Sequence, residues 1–173
     1  MSPISVNLDK SGPSNFQLVF PKLPTETTLG ATHELTLNIH GTIIPGLSLD
    51  TIEGSWLSAV IPFDSGRMTF EPWTVEFTVD SQFLNWKVLY RWLTAINNNK
   101  DKHGALPSEY AVDATLRVTD NFRNEILRIY FTNVWINMLG EITFSMREGE
   151  TNLECTCQFV YDRFELRETT VAS

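Results

Sequence analysis

The chain has 173 residues, 42% hydrophobic and 20% charged, the size and balance of one folded domain with its own core, which excludes a wholly disordered chain. Thirteen Lys and Arg stand against 21 Asp and Glu for a formal charge of −8, and without a basic run strong nucleic-acid binding is disfavoured. No apolar run approaches the roughly 18 residues of a membrane span, and Met1 to Val6 lack the basic and apolar regions of a secretory leader, so a soluble chain with no membrane anchor is expected.

Residues 1–14 are polar and carry Pro3, Gly12 and Pro13, the composition of an extended arm. Asn15 to Phe20 alternates apolar and polar residues and predicts a first strand, stopped by Pro21 and Pro24. His33 to His40 places Leu35, Leu37 and Ile39 on one face, a second strand that ends before Pro45 and Gly46. Residues 47–66 mix Ile52, Trp56, Leu57, Val60 and Ile61 with glycines and acids. They read as a long loop-like excursion from the sheet, of the kind that usually carries function.

Met68 to Asp80 predicts another strand, with Trp73, Val75, Phe77 and Val79 on its apolar side. The period then becomes helical over 81–98, with Phe83, Trp86, Tyr90 and Leu93 turned to the sheet, Asp80 or Ser81 as cap and Asn97 as the stop. After a polar loop at 101–109, strand patterns return at Val112–Val118, Leu127–Phe131, Glu141–Met146 and Asn152–Phe164, with turns at 120–124 and 147–150. Residues 167–173 read as a tail, which leaves one domain over 15–166. The expected fold is mainly β: a small antiparallel barrel or sandwich of seven to eight strands with one flanking helix. Its open strand edges suit pairing with identical neighbours.

Chemistry-bearing patterns are missing. No nucleophile elbow, zinc-protease helix, phosphate loop or dinucleotide fingerprint occurs, so no catalytic, cofactor-binding or metal-binding residue is assigned and the chain is not expected to be an enzyme. Cys155 and Cys157 lie two apart in a strand pattern, on one face and roughly 6.5–7 Å from each other. That is at or beyond disulfide range, and buried reduced thiols are the simpler reading. Glu76, Glu141 and Glu154 fall on polar strand faces, where solvated charge explains them more simply than a glycosidase pair. Core packing accounts for most of the tryptophans, with Trp56 the one placed to anchor a partner.

The order of these elements resembles a known family. Phe70-Glu-Pro-Trp-Thr-Val-Glu-Phe-Thr-Val-Asp80, then Phe83-Leu-Asn-Trp86 and Tyr90-Arg-Trp-Leu93, is similar to the central strand-and-helix phrase of tail tube proteins from contractile-tailed bacteriophages. Asn15 to Pro24, Ile44-Pro-Gly-Leu-Ser-Leu49 and the closing stretch Leu139 to Phe164 extend the resemblance along most of the chain. Gln82, where an acid is usual, is a small departure.

The resemblance implies a structural virion protein, forming hexameric rings that stack into the inner tail tube. It would conduct DNA without binding it and template the sheath. The fold would be shared with the type VI secretion tube protein. Sheath, baseplate and tape-measure proteins would be its partners, the virion tail its location and the host cytoplasm its place of assembly. On that reading the polar faces carrying Thr74, Glu76, Thr78, Glu141, Thr143, Ser145, Glu154, Thr156 and Gln158 line the lumen, and Trp56, Leu57, Val60 and Ile61 contact the next subunit or ring. A baseplate-proximal tube initiator, a type VI tube protein, and a carbohydrate-binding β-sandwich using Trp56 or Trp135 are the alternatives.

Overall fold

The computed structural model describes residues 16–21, 23, 39–57, 59–98, 103–104, 106–120, 122–144 and 152–168. The arm expected at 1–14, most of the 33–40 strand, Ser145, the 147–150 turn and the tail from 169 onward lie outside the described residues.

Strands form where apolar residues alternate. In chain order they are β1 (Phe16–Val19), β2 (Ile39–Thr42), β3 (Leu47–Trp56), β4 (Ala59–Phe70), β5 (Trp73–Thr78), the two-residue β6 (Asn97–Asn98) and β7 (His103–Gly104), β8 (Val112–Thr119), β9 (Glu125–Leu139), β10 (Glu154–Val160) and β11 (Arg163–Glu168). Two helices interrupt them, α1 (Leu84–Ile96) and the one-turn α2 (Pro107–Tyr110). Seven strands form one antiparallel sheet in the order β1-β8-β9-β10-β5-β2, with β11 also on β9.

The long strand β9 organises this sheet. Its first half pairs β8 on one edge and β11 on the other, while its second half pairs β10. The bend sits at Asn133, whose backbone is left-handed at φ 55, a conformation asparagine tolerates better than most residues. Its N–H donates to Asp113 Oδ1 at 3.2 Å and its side-chain amide to Asp162, so β8 and the connection between β10 and β11 hold the bend. Sequence alternation at 127–131 revealed a third of this strand; the bulge breaks the period of two and hides the rest.

Inward residues of both halves meet in one core of Leu18, Phe20, Trp73, Val75, Phe77, Leu116, Ile129, Phe131, Ile136 and Phe159. Trp73 stacks flat on Phe131 with centroids 4.1 Å apart. Cys155 and Cys157 are buried and unbridged, and burial pushes both thiols up, in keeping with inert apolar packing.

Three of the four helix residues expected to face the sheet, Phe83, Trp86 and Leu93, pack against the core, but the most deeply buried face is the neighbouring one. Asn85, Val88, Leu89 and Trp92 are buried, whereas Tyr90 is exposed and Phe83, Trp86 and Leu93 are half-buried. Neither Asp80 nor Ser81 caps it. Phe83 occupies the cap position with φ 57 and no side-chain bond, because 81–82 form a turn. The Asp80 carbonyl accepts the Phe83 N–H across that turn at 2.8 Å. Further corrections concern three elements. Glu71 and Pro72 break the strand expected from Met68 to Asp80, as a ring without an N–H must. Glu141 to Phe144 form no strand. The polar 101–109 loop contains α2, so two helices are described rather than one.

At the end of β10, the Tyr161 hydroxyl donates to the Glu71 carbonyl at 2.8 Å, and burial pushes its pKa up to about 12. The folded chain therefore holds this proton more tightly than the unfolded one, whose tyrosine titrates near 10. The associated stability is complete below about pH 10 and is lost as pH rises through about 12. Tyr161→Phe is expected to flatten this alkaline decline, as read from urea midpoints at about pH 9 and about pH 11.

Candidate assembly surfaces

The excursion at 47–66 is a β-hairpin with structure of its own. Among the described residues strands β3 and β4 pair only with each other, and nearly every residue along them is exposed. Register gives the arm two unlike faces. Ile52 pairs with Phe63 and Gly54 with Ile61, so Ile52, Ile61 and Phe63 share one side, with the Phe63 ring lying across the space a Gly54 Cβ would fill. Thr51, Glu53 and Ser55 share the other with Val60, Pro62 and Asp64. Trp56 ends β3 at the tip, opposite Ala59.

The two-residue tip contains Leu57, left-handed at φ 46 and 88% exposed. Such a turn favours Gly or Asn, and a left-handed leucine costs roughly 1–2 kcal/mol. The Leu57 side chain is left almost wholly to solvent. Of the four residues expected to make intersubunit contacts, Leu57, Val60 and Ile61 are all exposed, and Trp56 shares their tip.

The residues expected to line a lumen divide in two. Glu154 stands opposite Thr78, Thr156 opposite Glu76 and Gln158 opposite Thr74, so six of them form one outward face of β5 and β10. His40 from β2 joins this face, its Nδ1 3.3 Å from Thr78 Oγ1. Glu141 and Thr143 are exposed but belong to the non-strand segment after β9, so they are not part of this ladder. Gly140 marks the change: a Cβ there would meet the Thr156 carbonyl oxygen at 2.8 Å. Trp135, considered as a carbohydrate platform, is half-buried inside β9 and packs edge-on against Tyr110 at 6.0 Å.

Sequence reading missed a third surface on the outward side of β8, β9 and β11. Arg117 pairs with Arg128, and Arg128 with Arg167, three guanidinium groups in one row. Glu125 grips Arg128 through two bonds of 2.6 and 2.7 Å and lies 3.6 Å from Arg117. This carboxylate and the Tyr130 hydroxyl hold the Arg128 guanidinium in its charged form more firmly than usual. Arg167 instead rests 4.7 Å above the Tyr130 ring. Each arginine occupies an unremarkable polar strand position; only the register assembles them. Among the described residues, no cluster of His, Cys, Asp and Glu is placed to hold a metal.

No family model matches the chain. Over 172 residues it is 28% identical to the tail tube terminator protein of Enterobacteria phage T4, covering 92% of this chain and 90% of that one. Its fold matches a chain of the sheath-tube complex of an extracellular contractile injection system, with a TM-score of 0.65, 14% identity and 98% of both chains covered. It also matches the tube-terminating cap of the anti-feeding prophage, with a TM-score of 0.63 at 13% identity, covering 98% of this chain and all of that one. The Hcp1 protein of Salmonella typhimurium follows at a TM-score of 0.53 and 9% identity, over 91% of this chain and 88% of that one.

The chain is similar along most of its length to a phage tail tube terminator, and it shares the fold of contractile-tail tube proteins. The resemblance read in its central phrase thus extends to nearly the whole length, and the mainly β fold shared with the type VI tube is present. The arm and the outward sheet faces stand apart from the buried core.

Proposed function

We propose that this protein is a structural subunit that ends the tube of a contractile phage tail, closing it as a terminator ring built from copies of the one 15–166 domain. The observation that carries assembly is the hairpin arm, exposed and apolar on one side, with a left-handed leucine at its tip. In the monomer that tip is left to solvent, whereas an intersubunit contact would bury it. The position at the tube end is supported by identity with the phage T4 terminator along nearly the full length. The likeness to tube-terminating caps adds to it.

A substitution at the tip separates monomer from assembly. Leu57→Asn is expected to raise monomer stability by about 1 kcal/mol, since asparagine suits the turn, while weakening ring formation by about tenfold. Light scattering and chemical unfolding of one preparation check both signs; a monomer destabilised with its assembly intact would return the tip to the core. A main tube subunit, the second reading, is favoured by the match to the sheath-tube complex. Negative-stain microscopy distinguishes them: a terminator stops at single rings and caps preformed tubes, and a tube subunit elongates.

The six-residue polar face of β5 and β10 is the proposed channel wall, with Glu76 and Glu154 repelling DNA phosphates over about 8 Å. Glu76→Lys with Glu154→Lys is expected to preserve rings but slow DNA release from assembled particles. Unchanged release would place these glutamates elsewhere. Sheath and baseplate proteins are the proposed partners, in a tail assembled within the host cytoplasm.

A further inference from the structure

We propose that the arginine row on β8, β9 and β11 is the receptor for the acidic face of the hairpin arm of a second copy. This rests on the assembly reading and names the surface that the arm meets. Like charges placed directly opposite in a sheet are destabilising, yet Arg117, Arg128 and Arg167 sit side by side on adjacent strands. Among the described residues the acids facing the row are Glu125, shared between Arg117 and Arg128, and Glu165 beside Arg167 on β11. Glu165 lies 3.4 Å from Arg163. Among the described residues, the three cations of the row are thus opposed by Glu125 and by a Glu165 shared with Arg163, in a chain whose formal charge is −8.

The arm supplies the complement. Glu53 stands opposite Pro62 and Thr51 opposite Asp64, so the two carboxylates lie diagonally on one face, roughly 7 Å apart. Both are exposed. Arginines on adjacent strands are spaced by about 5 Å, close enough for two carboxylates to bridge the row. Ile126, 40% exposed on the outward side of β9, and the Tyr130 ring add apolar surface beside the row. A ten-residue strand extends about 33 Å, against a radius of gyration of about 16 Å for a body of this size. The arm is therefore long enough to cross a neighbour.

Arm and row are different patches of one chain, so their contact is head-to-tail. Contacts of that type generate rings when the rotation closes and filaments when it does not. A row built for nucleic acid would act against the long-range repulsion of a strongly acidic protein. A neighbour's arm needs only local pairing.

A charge exchange tests the pairing in the full-length protein. One variant carries Arg117→Glu and Arg167→Glu, the other Glu53→Lys and Asp64→Lys. Each alone opposes like charges and is expected to self-associate about 30-fold more weakly than wild type. Mixed one to one, the reversed row of the first meets the reversed arm of the second, and association returns. The exposed single change Arg167→Glu, checked by thermal melting, gives the same direction without risk to the fold. Variants that assemble as wild type, or a mixture that fails to recover, overturn the pairing but leave the ring reading standing. A wild type that stays monomeric throughout overturns the ring reading and the pairing with it. DNA binding that Arg167→Glu removes, with self-association unchanged, assigns the row to nucleic acid and overturns the pairing as well.

Discussion

Trp92→Ala is expected to lower stability by about 3–5 kcal/mol, the largest loss available from one helix residue. Its indole is fully buried, edge-on to Phe20 at 6.0 Å and tilted against Phe159 at 5.7 Å. The ring N–H donates to the Tyr110 carbonyl at 2.8 Å, which ties α1 to α2. Truncation therefore opens a cavity among aromatic rings and also orphans a backbone acceptor. For a chain of this length the loss corresponds to a Tm lower by about 10 °C or more. Trp86→Ala is the control. Trp86 stacks on the exposed Tyr90 at 5.3 Å on the flank of the helix, and its removal is expected to cost about half as much. Equal losses at the two positions would contradict the observed orientation of α1.

Asn85→Ala is expected to cost about 2–4 kcal/mol, a large effect for a side chain this small. Asn85 is the buried polar residue among those described, and its amide joins three backbone groups at the helix start. Its Oδ1 accepts from Asp80 N at 3.2 Å and Trp86 N at 2.8 Å, while Nδ2 donates to the Thr78 carbonyl at 2.8 Å. It thus fastens the end of β5 to the first turn of α1, the work that a cap would otherwise do. Removing it leaves two donors and one acceptor without their partner inside the protein. Asn85→Leu, which fills the space without restoring the bonds, is expected to remain at least as destabilised. Chemical unfolding of both variants checks this; recovery in the leucine variant would show that packing, not hydrogen bonding, holds the junction.

These two residues show where sequence reading stops. The helix at 84–96 was legible because its apolar residues recur with a helical period, but several faces of it are aromatic. Which one lies down is decided by the sheet beneath, through Phe20 and Phe159, and that selects Trp92 over Trp86. Asn85 carries no sequence signal, since an amide looks the same whether it is solvated or triply bonded.

The sequence by itself determined the alternation that buries Trp73, Val75, Phe77 and Val79, the paired inward thiols at 155 and 157, and the phrase that resembles tail tube proteins. Each depends on neighbours in the chain, whose spacing a period of two or 3.6 converts directly into a face. Tertiary structure alone decided that 47–66 is a freestanding hairpin, that Asn133 bends β9 from one half of the sheet to the other, and that Glu141 leaves the polar ladder of Glu76 and Glu154. It also aligned three arginines that are 11 and 39 positions apart in sequence, counting 117 to 128 and 128 to 167. The reason is register: which residues stand opposite one another depends on bulges and on strand order, and one extra residue in a strand changes every partner beyond it.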